Sequence, residues 1–180
     1  QSSDMESYLE SLEMKISFSD FNKIGRSRIT QLISKSNQFN LTTKRYNDIQ
    51  VEAFEKDASY FTCQVRLKDS LGDNGMISII ICKKNNESWL IDTWLMSCRV
   101  LGRSVEESVL HHIISNALDD GASKLEGLYL PSARNGIVKD HYQKLGFKQT
   151  STTSDGGDSW ELNINDYKKN QLPFLIENAL

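Results

Sequence analysis

The stretch that decides the fold is Ser88–Leu110, SWLIDTWLMSCRVLGRSVEESVL. It begins with an apolar run, Trp89–Met96, whose length and content are typical of a buried strand. It then passes through a glycine-containing turn, Arg99–Ser104 (the glycine turn), into a segment with the apolar spacing of a helix. A helix that starts directly after such a turn presents free backbone N–H groups and the positive end of its dipole, which favour a bound phosphate. Arg99 and Arg103 are expected to add positive charge there.

Two further β-type runs precede this stretch. Residues 60–69 alternate apolar and polar side chains, and residues 75–83 follow a Gly-Asp-Asn-Gly turn. With Trp89–Met96 they predict a three-stranded antiparallel meander. Before the meander we expect a lead-in helix over 1–13, a strand over 14–18, and helices over 24–36 and 46–56. The polar segment 36–43 between those helices is either a surface loop or a binding loop.

After the glycine turn, the apolar spacing predicts a helix from Val105 to Leu118, with Gly121 at its C-terminal cap. The remaining elements expected are a strand over 124–130, a helix over 135–145, and a hairpin of strands over 147–152 and 159–164. The tail is expected to pack back on the body. We found no repeat and no long linker, so 1–180 is predicted to be a single domain, with 165–180 as its C-terminal tail.

Composition excludes several classes of protein. The formal net charge is −3, which gives no basic field for nucleic acid. No apolar run approaches the roughly 18 residues of a membrane span. Three widely spaced cysteines, Cys63, Cys82 and Cys98, fit neither a disulfide framework nor a zinc site. We therefore expect no metal and no membrane, and the cytoplasm as the protein's location.

The order of elements resembles the GNAT acyltransferase fold, and two motifs support this. Arg99-Val100-Leu101-Gly102-Arg103-Ser104 is similar to the family's pyrophosphate loop, with Ser104 in place of the usual last Gly or Ala. Asn135 opens a segment that runs to Tyr142, Gly146 and Phe147, similar to the family's helix ending in Tyr-x-x-x-Gly-Phe. The resemblance covers about residues 12–164. It implies an α/β fold with a mixed, mostly antiparallel sheet flanked by helices, and with splayed fourth and fifth strands.

A closer resemblance covers nearly the whole chain. Segments such as NQFNLTTKRY, LMSCRVLGRSVEE and GLYLPSARNGIVKDHYQKLGF resemble the C-terminal, GNAT-like region of FkbH-like proteins. That family joins this region to a HAD-type phosphatase or glyceryl transferase domain and prepares glyceryl units for polyketide pathways. The resemblance implies an acyl carrier protein as partner and a HAD-like domain as a possible second one. No Asp-x-Asp phosphatase motif occurs here, so the glyceryl chemistry cannot be placed on this chain.

The GNAT resemblance implies roles for particular residues. Backbone N–H groups at the end of the fourth strand would polarise a thioester carbonyl. The turn and the start of the next motif would hold the phosphate of acetyl-CoA, another acyl-CoA, or a carrier-bound phosphopantetheine arm. Tyr142 would protonate the leaving thiolate, unless it only packs its helix on the sheet. The polarising residues are Leu95, Met96 and Ser97; the phosphate-binding residues are Arg99, Leu101, Gly102, Arg103, Ser104 and Asn135.

The general base stays open. Asp92 lies mid-strand among apolar residues, and is either a base or a satisfied polar residue at a strand edge. Cys98 is either a thiol that takes the acyl group or a small buried side chain. His141 is a further candidate, expected to be exposed, and Glu126 is another. His111 and His112 are adjacent on a helix, which makes them a poor metal pair.

One feature of the glycine turn opposes tight binding of coenzyme A. Ser104 and Glu107 have the spacing of a capping box, in which each would bond the other's backbone N–H. That would occupy the donors that a pyrophosphate needs, and Glu106 and Glu107 would repel a polyanion. A pantetheine arm with one phosphate conflicts less. The sequence therefore leaves two functions: an acyltransferase domain, or a non-catalytic module that docks a carrier protein.

Overall fold

The chain consists of five α-helices and eight strands in the computed structural model, which describes residues 2–178. The helices are α1 (Ser2–Ser11), α2 (Arg26–Lys35), α3 (Asp48–Lys56), α4 (Val105–Asp119) and α5 (His141–Lys144). The strands are β1 (Met14–Ser19), β2 (Tyr60–Asp69), β3 (Gly72–Asn85), β4 (Ser88–Met96), β5 (Lys124–Tyr129), β6 (Lys148–Thr152), β7 (Asp158–Asn163) and β8 (Phe174–Asn178). Single 3₁₀ turns lie at Cys98–Val100, Gly136–Val138 and Ile164–Asp166.

The strands form one mixed sheet in the order β6-β7-β5-β4-β3-β2-β1-β8. β4 and β5 are parallel, as are β1 and β8, and the other neighbours are antiparallel. The α/β fold class with a mostly antiparallel sheet flanked by helices is confirmed. No helix within residues 2–178 has the length and apolar content that crossing a bilayer requires.

The helices cover both faces of the sheet because its central strands bury both of their sides. On one face, alternate residues of β2 such as Cys63 and Val65 share a core with α1, α4 and α5. On the other face, Ile79 and Ile81 of β3 pack with α2 and α3. This two-sided burial is why residues 76–82 are all buried and, except for Ser78, apolar rather than alternating.

Two elements differ from expectation. The helix expected over 135–145 is split into a 3₁₀ turn and the single-turn α5, because the Asn135 side chain bonds the preceding loop instead of capping a helix. The tail packs on the body as expected, but as an added strand, β8, parallel to β1. The last residues of the tail, 179–180, lie outside the described residues, as does residue 1 of the lead-in helix.

Candidate functional site

β4 and β5 part after four paired residues. Ser88–Ile91 pairs with Lys124–Gly127, and no later residue of β4 pairs with β5 in the described chain. We call the point after Ile91 and Gly127 the fork. A β-bulge at Asp92 accompanies it, since Ile91 pairs with Cys82 while Thr93 already pairs with Ile81. A bulge bends a strand and increases its twist, so it turns β4 away from β5.

The gap beyond the fork is filled by the chain itself. Phe39–Thr42, which we call the inserted segment, lies between the parted strands. On the β4 side, the Met96 N–H donates to the Phe39 carbonyl (3.0 Å) and the Leu41 N–H donates to the Trp94 carbonyl (3.0 Å). On the other side, the Leu130 N–H, just beyond β5, donates to the Leu41 carbonyl (2.9 Å). The segment therefore acts as a short bridging strand and is not a surface loop, since its residues are buried; the binding-loop alternative stays a prediction.

The amides expected to polarise a thioester are engaged within the protein. Besides the Met96 bond to Phe39, the Ser97 N–H donates to the Ile77 carbonyl (2.7 Å). Leu95 pairs with Ile79 of β3. A carbonyl of the chain therefore occupies the Met96 amide, and the proposed role of all three residues stays a prediction.

The glycine turn leads into α4 with two residues in the left-handed region. Gly102 has φ +77° and Ser104, the N-cap of α4, has φ +66°. The predicted capping box is wrong, because the Ser104 side chain makes no capping hydrogen bond in this backbone conformation. The donors of the first turn of α4 are therefore not used up by Ser104, which leaves a helix start of the kind that binds a phosphate.

A cavity of about 360 Å³ lies beside this helix start. Its walls come from the glycine turn, the first turn of α4, the 3₁₀ turn before α5, and α5 itself. Phe39 of the inserted segment closes its inner end. The lining residues are Phe39, Leu101, Gly102, Ser104, Glu106, Glu107, Ile137, Val138, His141, Lys144 and Leu145.

The two arginines of the glycine turn do not line this cavity. Arg99 donates to the Ser97 hydroxyl (3.0 Å) and to the Asn74 carbonyl (3.1 Å). Arg103 forms an ion pair with Asp69 at 2.7 Å. Because Asp69 and Asn74 flank the β2–β3 turn, the positive charge expected for the ligand instead anchors the glycine turn to that hairpin.

The charged residues that do line the cavity are mostly acidic. Burial raises the pKa of Glu106, and the neighbouring charge of Glu107 raises it further. The exposed Lys144 of α5 lies on the opposite wall. The cavity therefore disfavours a ligand with several phosphates and is compatible with one that has a single phosphate.

Tyr142 is fully buried at the fork. Its ring lies against Gly127 so closely that a Cβ atom there would be 2.5 Å from the tyrosine Cζ. Its centroid is 6.3 Å from that of Trp94 on β4. The hydroxyl makes no hydrogen bond of normal geometry within residues 2–178. Burial is the larger effect on its pKa and holds it well above the ordinary value, although the Leu128 N–H lies close enough to lower it. The structure thus places Tyr142 at the junction of β4 and β5, behind the wall of the cavity rather than in it.

His141, expected to be exposed, is buried. Its ring contacts Trp94 edge-on at 4.4 Å and Phe39 at 5.3 Å between centroids. Burial, helped by the charge of Lys144, lowers its pKa to about 3. Nε2 is buried and has no partner in the described part of the chain. A neutral imidazole therefore lines the inner end of the cavity.

Asp92 is held by three donors. Lys44 Nζ lies 2.6 Å from Oδ1, and the hydroxyls of Tyr46 and Thr93 donate to Oδ2 at 2.7 and 2.9 Å. The Thr42 hydroxyl also donates to the Asp92 backbone carbonyl (3.0 Å). Burial, together with the bond to Asp92, raises the pKa of Tyr46. Asp92 does not line the cavity; it fixes the chain that follows the inserted segment to the bulge of β4.

Asn135 and Cys98 also lie outside the cavity wall. Asn135 is buried, and its Nδ2 donates to the carbonyls of Asn40 (3.0 Å) and Leu130 (2.9 Å). It therefore ties the inserted segment to the end of β5. Cys98 is exposed, with Sγ 3.5 Å from Gln38 Oε1, so the expectation of a small buried side chain is wrong.

The remaining candidates lie elsewhere. Glu126 is on β5 beside Glu161 of β7, where Lys124 lies close to both carboxylates. His111 is packed in the protein, and no group of metal-ligating side chains occurs in the part of the chain that the structure describes.

Sequence reasoning missed the inserted segment, although a signal was present. Phe39 and Leu41 alternate with the polar Gln38, Asn40 and Thr42, which is the period of a strand. The bulge also had a signal. The β4 residues in the core shared with α4 are Trp89, Ile91, Trp94 and Met96, so their spacing changes from two to three at the bulge.

Solved structures similar to this one are GNAT acetyltransferases. The ribosomal-protein-S18-alanine N-acetyltransferase of Escherichia coli matches with a TM-score of 0.61 and 14% identity, over 87% of this chain and 98% of that one. Spermidine N-acetyltransferase of Vibrio cholerae, in complex with CoA and spermine, matches with a TM-score of 0.65 and 10% identity, over 84% and 96%. The GNAT domain of S. lividans PAT matches with a TM-score of 0.60 and 16% identity, over 81% and 89%.

No protein-family model matches the sequence, and no curated protein matches it either. At these identities the structural likeness shows the fold alone, and that fold is the GNAT fold. The splayed fourth and fifth strands that the resemblance implied are present.

Proposed function

We propose that this chain is a GNAT-type acyltransferase domain that binds an acyl thioester on a pantetheine arm and transfers the acyl group to an acceptor. The observation that supports this is the cavity that lies beside the start of α4 and reaches His141, whose ring contacts Trp94 of β4 edge-on. A phosphate would lie at the amides of the glycine turn and α4, and the arm would point toward β4. The solved relative from Vibrio cholerae holds CoA, which makes acyl-CoA one candidate donor.

A carrier-bound arm is the donor that we favour. Glu106 and Glu107 oppose the several phosphates of CoA but less so a single phosphodiester. Three exposed cations on the α5 side of the cavity, Arg134, Lys139 and Lys144, suit an acidic carrier protein. This choice agrees with the FkbH-like resemblance, which adds a polyketide precursor pathway and a HAD-type partner domain to the proposal.

In the proposed reaction, the acceptor attacks the thioester carbonyl while its oxygen is stabilised by the Met96 N–H. The Tyr142 hydroxyl is the proposed proton donor to the leaving thiolate, which requires a small movement of its ring toward the cavity. Asp92 remains the proposed base. Cys98 belongs to a two-step alternative, in which its thiolate attacks the donor thioester and releases the pantetheine thiol, and the acceptor then attacks the acyl-Cys98 thioester and releases the Cys98 thiol. Asp92 must first lose its bonds to Lys44 and Tyr46.

A second function is favoured by a specific observation. Because the inserted segment occupies the Met96 amide, the domain could hold a carrier arm in the cavity without catalysing acyl transfer. It would then be a non-catalytic docking module that presents a carrier protein to a HAD-type domain.

Calorimetric titrations with acetyl-CoA and with an acetyl-pantetheinylated carrier protein test both functions. Gly102→Asp places a carboxylate at the proposed phosphate site, and we expect it to weaken binding at least about tenfold. Gly121→Asp is the matched control, since Gly121 also has positive φ and open space around it but lies at the far end of α4. Equal affinity of both variants and the wild type would place the ligand elsewhere.

Turnover separates the two functions. If the domain is an acyltransferase, thiol release is slowed by Tyr142→Phe, a change that removes only the buried hydroxyl. Carrier binding without thiol release supports docking instead. Absence of binding to either ligand, by the wild type and by variants with a loosened inserted segment, overturns both functions.

A further inference from the structure

The inserted segment lies where the reacting end of a thioester arm would lie. Asn40 stands directly opposite Leu95 of β4, and the flanking bonds are Met96 N–H to Phe39 carbonyl and Leu41 N–H to Trp94 carbonyl. The segment therefore runs along the free edge of β4 as an extra strand. A ligand in the outer cavity reaches Phe39 before it can reach the Met96 amide.

Specific side chains hold the segment from both sides. On the β4 side, the Asp92 carboxylate accepts from Lys44 and Tyr46, and the Asp92 carbonyl accepts from Thr42. On the β5 side, Asn135 Nδ2 donates to the Asn40 carbonyl. Side-chain hydrogen bonds therefore hold the segment from both sides, in addition to its backbone hydrogen bonds.

We propose that the inserted segment is a gate over the thioester slot, and that Asp92 and Asn135 are the positioning residues that hold it closed. This inference rests on the proposed function, since it concerns access to the same slot. The thioester carbonyl replaces the Phe39 carbonyl on the Met96 N–H when the gate opens, so that one hydrogen bond is exchanged for another. Binding of the thioester and closure of the gate therefore compete for the Met96 N–H.

The competition has a measurable consequence. A ligand that needs the open form shows an affinity reduced by the fraction of molecules that are open. Opening exposes Leu41, which is fully buried, and leaves Asn135 without its Asn40 partner. The open form is therefore the minor one, and changes that loosen the closed form raise affinity although they lower stability.

A reversible lock tests the gate. Asn40 and Leu95 form a non-hydrogen-bonded antiparallel pair, in which Cα atoms typically lie about 4.5 Å apart, within the range that a disulfide spans. The variant combines Asn40→Cys and Leu95→Cys with Cys98→Ser, so that the exposed native thiol cannot interfere. Oxidised and reduced forms of this one protein are titrated with the acetyl-pantetheinylated carrier and with acetyl-CoA. We expect the oxidised form to bind at least about tenfold more weakly.

A release variant tests it in the opposite direction. Asp92→Asn removes the ion pair with Lys44 while keeping the shape of the side chain, and we expect three- to tenfold tighter binding. Glu52→Gln is the comparison variant, because it removes a carboxylate that forms ion pairs with Lys56 on α3 and with Arg26 on α2. Amide hydrogen exchange on the complex adds a direct readout: the Leu41 N–H should lose protection while the Met96 N–H keeps it.

The outcomes separate the gate from the proposed function. Binding by the reduced form that oxidation abolishes supports both. Equal binding by the two forms, or unchanged Leu41 protection in the complex, overturns the gate and leaves the binding function standing. Binding by the Asp92→Asn variant alone supports the gate. If no form binds either ligand, the thioester function falls and the gate falls with it.

Discussion

The glycine turn and the fork are built in opposite ways. At the glycine turn, Gly102 and Ser104 take left-handed conformations, Ser104 makes no side-chain cap, and the arginines bond the β2–β3 hairpin. At the fork, the inserted segment bonds the Trp94 carbonyl and the Met96 N–H of β4 and the Leu130 N–H just beyond β5, and Tyr142 and His141 are buried among aromatic rings. The contrast indicates that two parts of the proposed site can be built independently. One is the part proposed to hold a phosphate, and the other is the part proposed to hold an acyl group.

The largest expected effect lies in the inserted segment. Leu41→Ala removes a side chain that is 0% exposed, and we expect it to lower the free energy of unfolding by about 2–5 kcal/mol through lost burial and the cavity left behind. Leu101→Ala, in the glycine turn, removes a side chain that is 40% exposed and should cost less than about 1 kcal/mol. Urea denaturation measures both. Equal costs would contradict the contrast between a packed fork and an open turn.

A second expected effect is a pH dependence of stability that originates at the fork. Burial lowers the pKa of His141 to about 3, against 6.5 in the unfolded chain. Between those values the unfolded state binds the extra proton, so stability is complete above pH 6.5 and falls as the pH falls. The loss approaches about 1.4 kcal/mol per pH unit for one such histidine.

The test is to replace His141 by Phe and measure the free energy of unfolding from pH 4.5 to 7.5. We expect the variant to lose stability less steeply below pH 6.5 than the wild type. His112 contributes in the same direction, because burial lowers its pKa to about 4. His112→Phe is therefore the comparison variant. An unchanged slope after His141→Phe would mean that His141 is accessible to protons in the folded protein.

The close approach of β5 to α5 gives the third prediction. Gly127→Ala puts a methyl group 2.5 Å from the Tyr142 ring, and we expect a cost of about 1–3 kcal/mol from overpacking. Gly136→Ala is the matched control, because no atom lies within 4 Å of the added carbon. Thermal unfolding of the two variants checks it. A neutral Gly127→Ala would show that Tyr142 has room to move, which would strengthen its proposed role as a proton donor.

The smallest expected effect is at the open end. Burial and Glu107 raise the pKa of Glu106, so its ionised form costs stability above that pKa and the cost disappears as the pH falls below the unfolded value. Glu106→Gln should therefore stabilise the protein at pH 7.5 by less than about 1 kcal/mol and not at pH 4. Removal of this charge should also tighten acetyl-CoA binding more than binding of a pantetheinylated carrier. Chemical denaturation at the two pH values and calorimetry are the measurements.

Much of the fold was predictable because local patterns and packing agree. The alternation of β2, the mostly apolar run of β3 and the helical face of α4 each bury the residues that their patterns select. The parted strands followed from the family resemblance, and the bulge at Asp92 is their physical cause.

The candidate site was less predictable because its residues act through distant partners. Asp92 is held by Lys44 and Tyr46, 48 and 46 residues away in sequence, and no local pattern reveals such pairs. The capping box failed because Ser104 adopts a left-handed backbone, a conformation that spacing alone does not encode. Asn135 was expected at the ligand and instead bonds Asn40, 95 residues away.

The exposure of Cys98 makes the protein easy to observe. Cys63 and Cys82 are buried, and burial raises the pKa of both thiols, so neither reacts readily with an alkylating reagent. A maleimide dye would therefore attach at Cys98. The Cys98 thiol lies against Gln38, the residue just before the inserted segment. Its emission could report movement of that segment in real time, without any engineered cysteine.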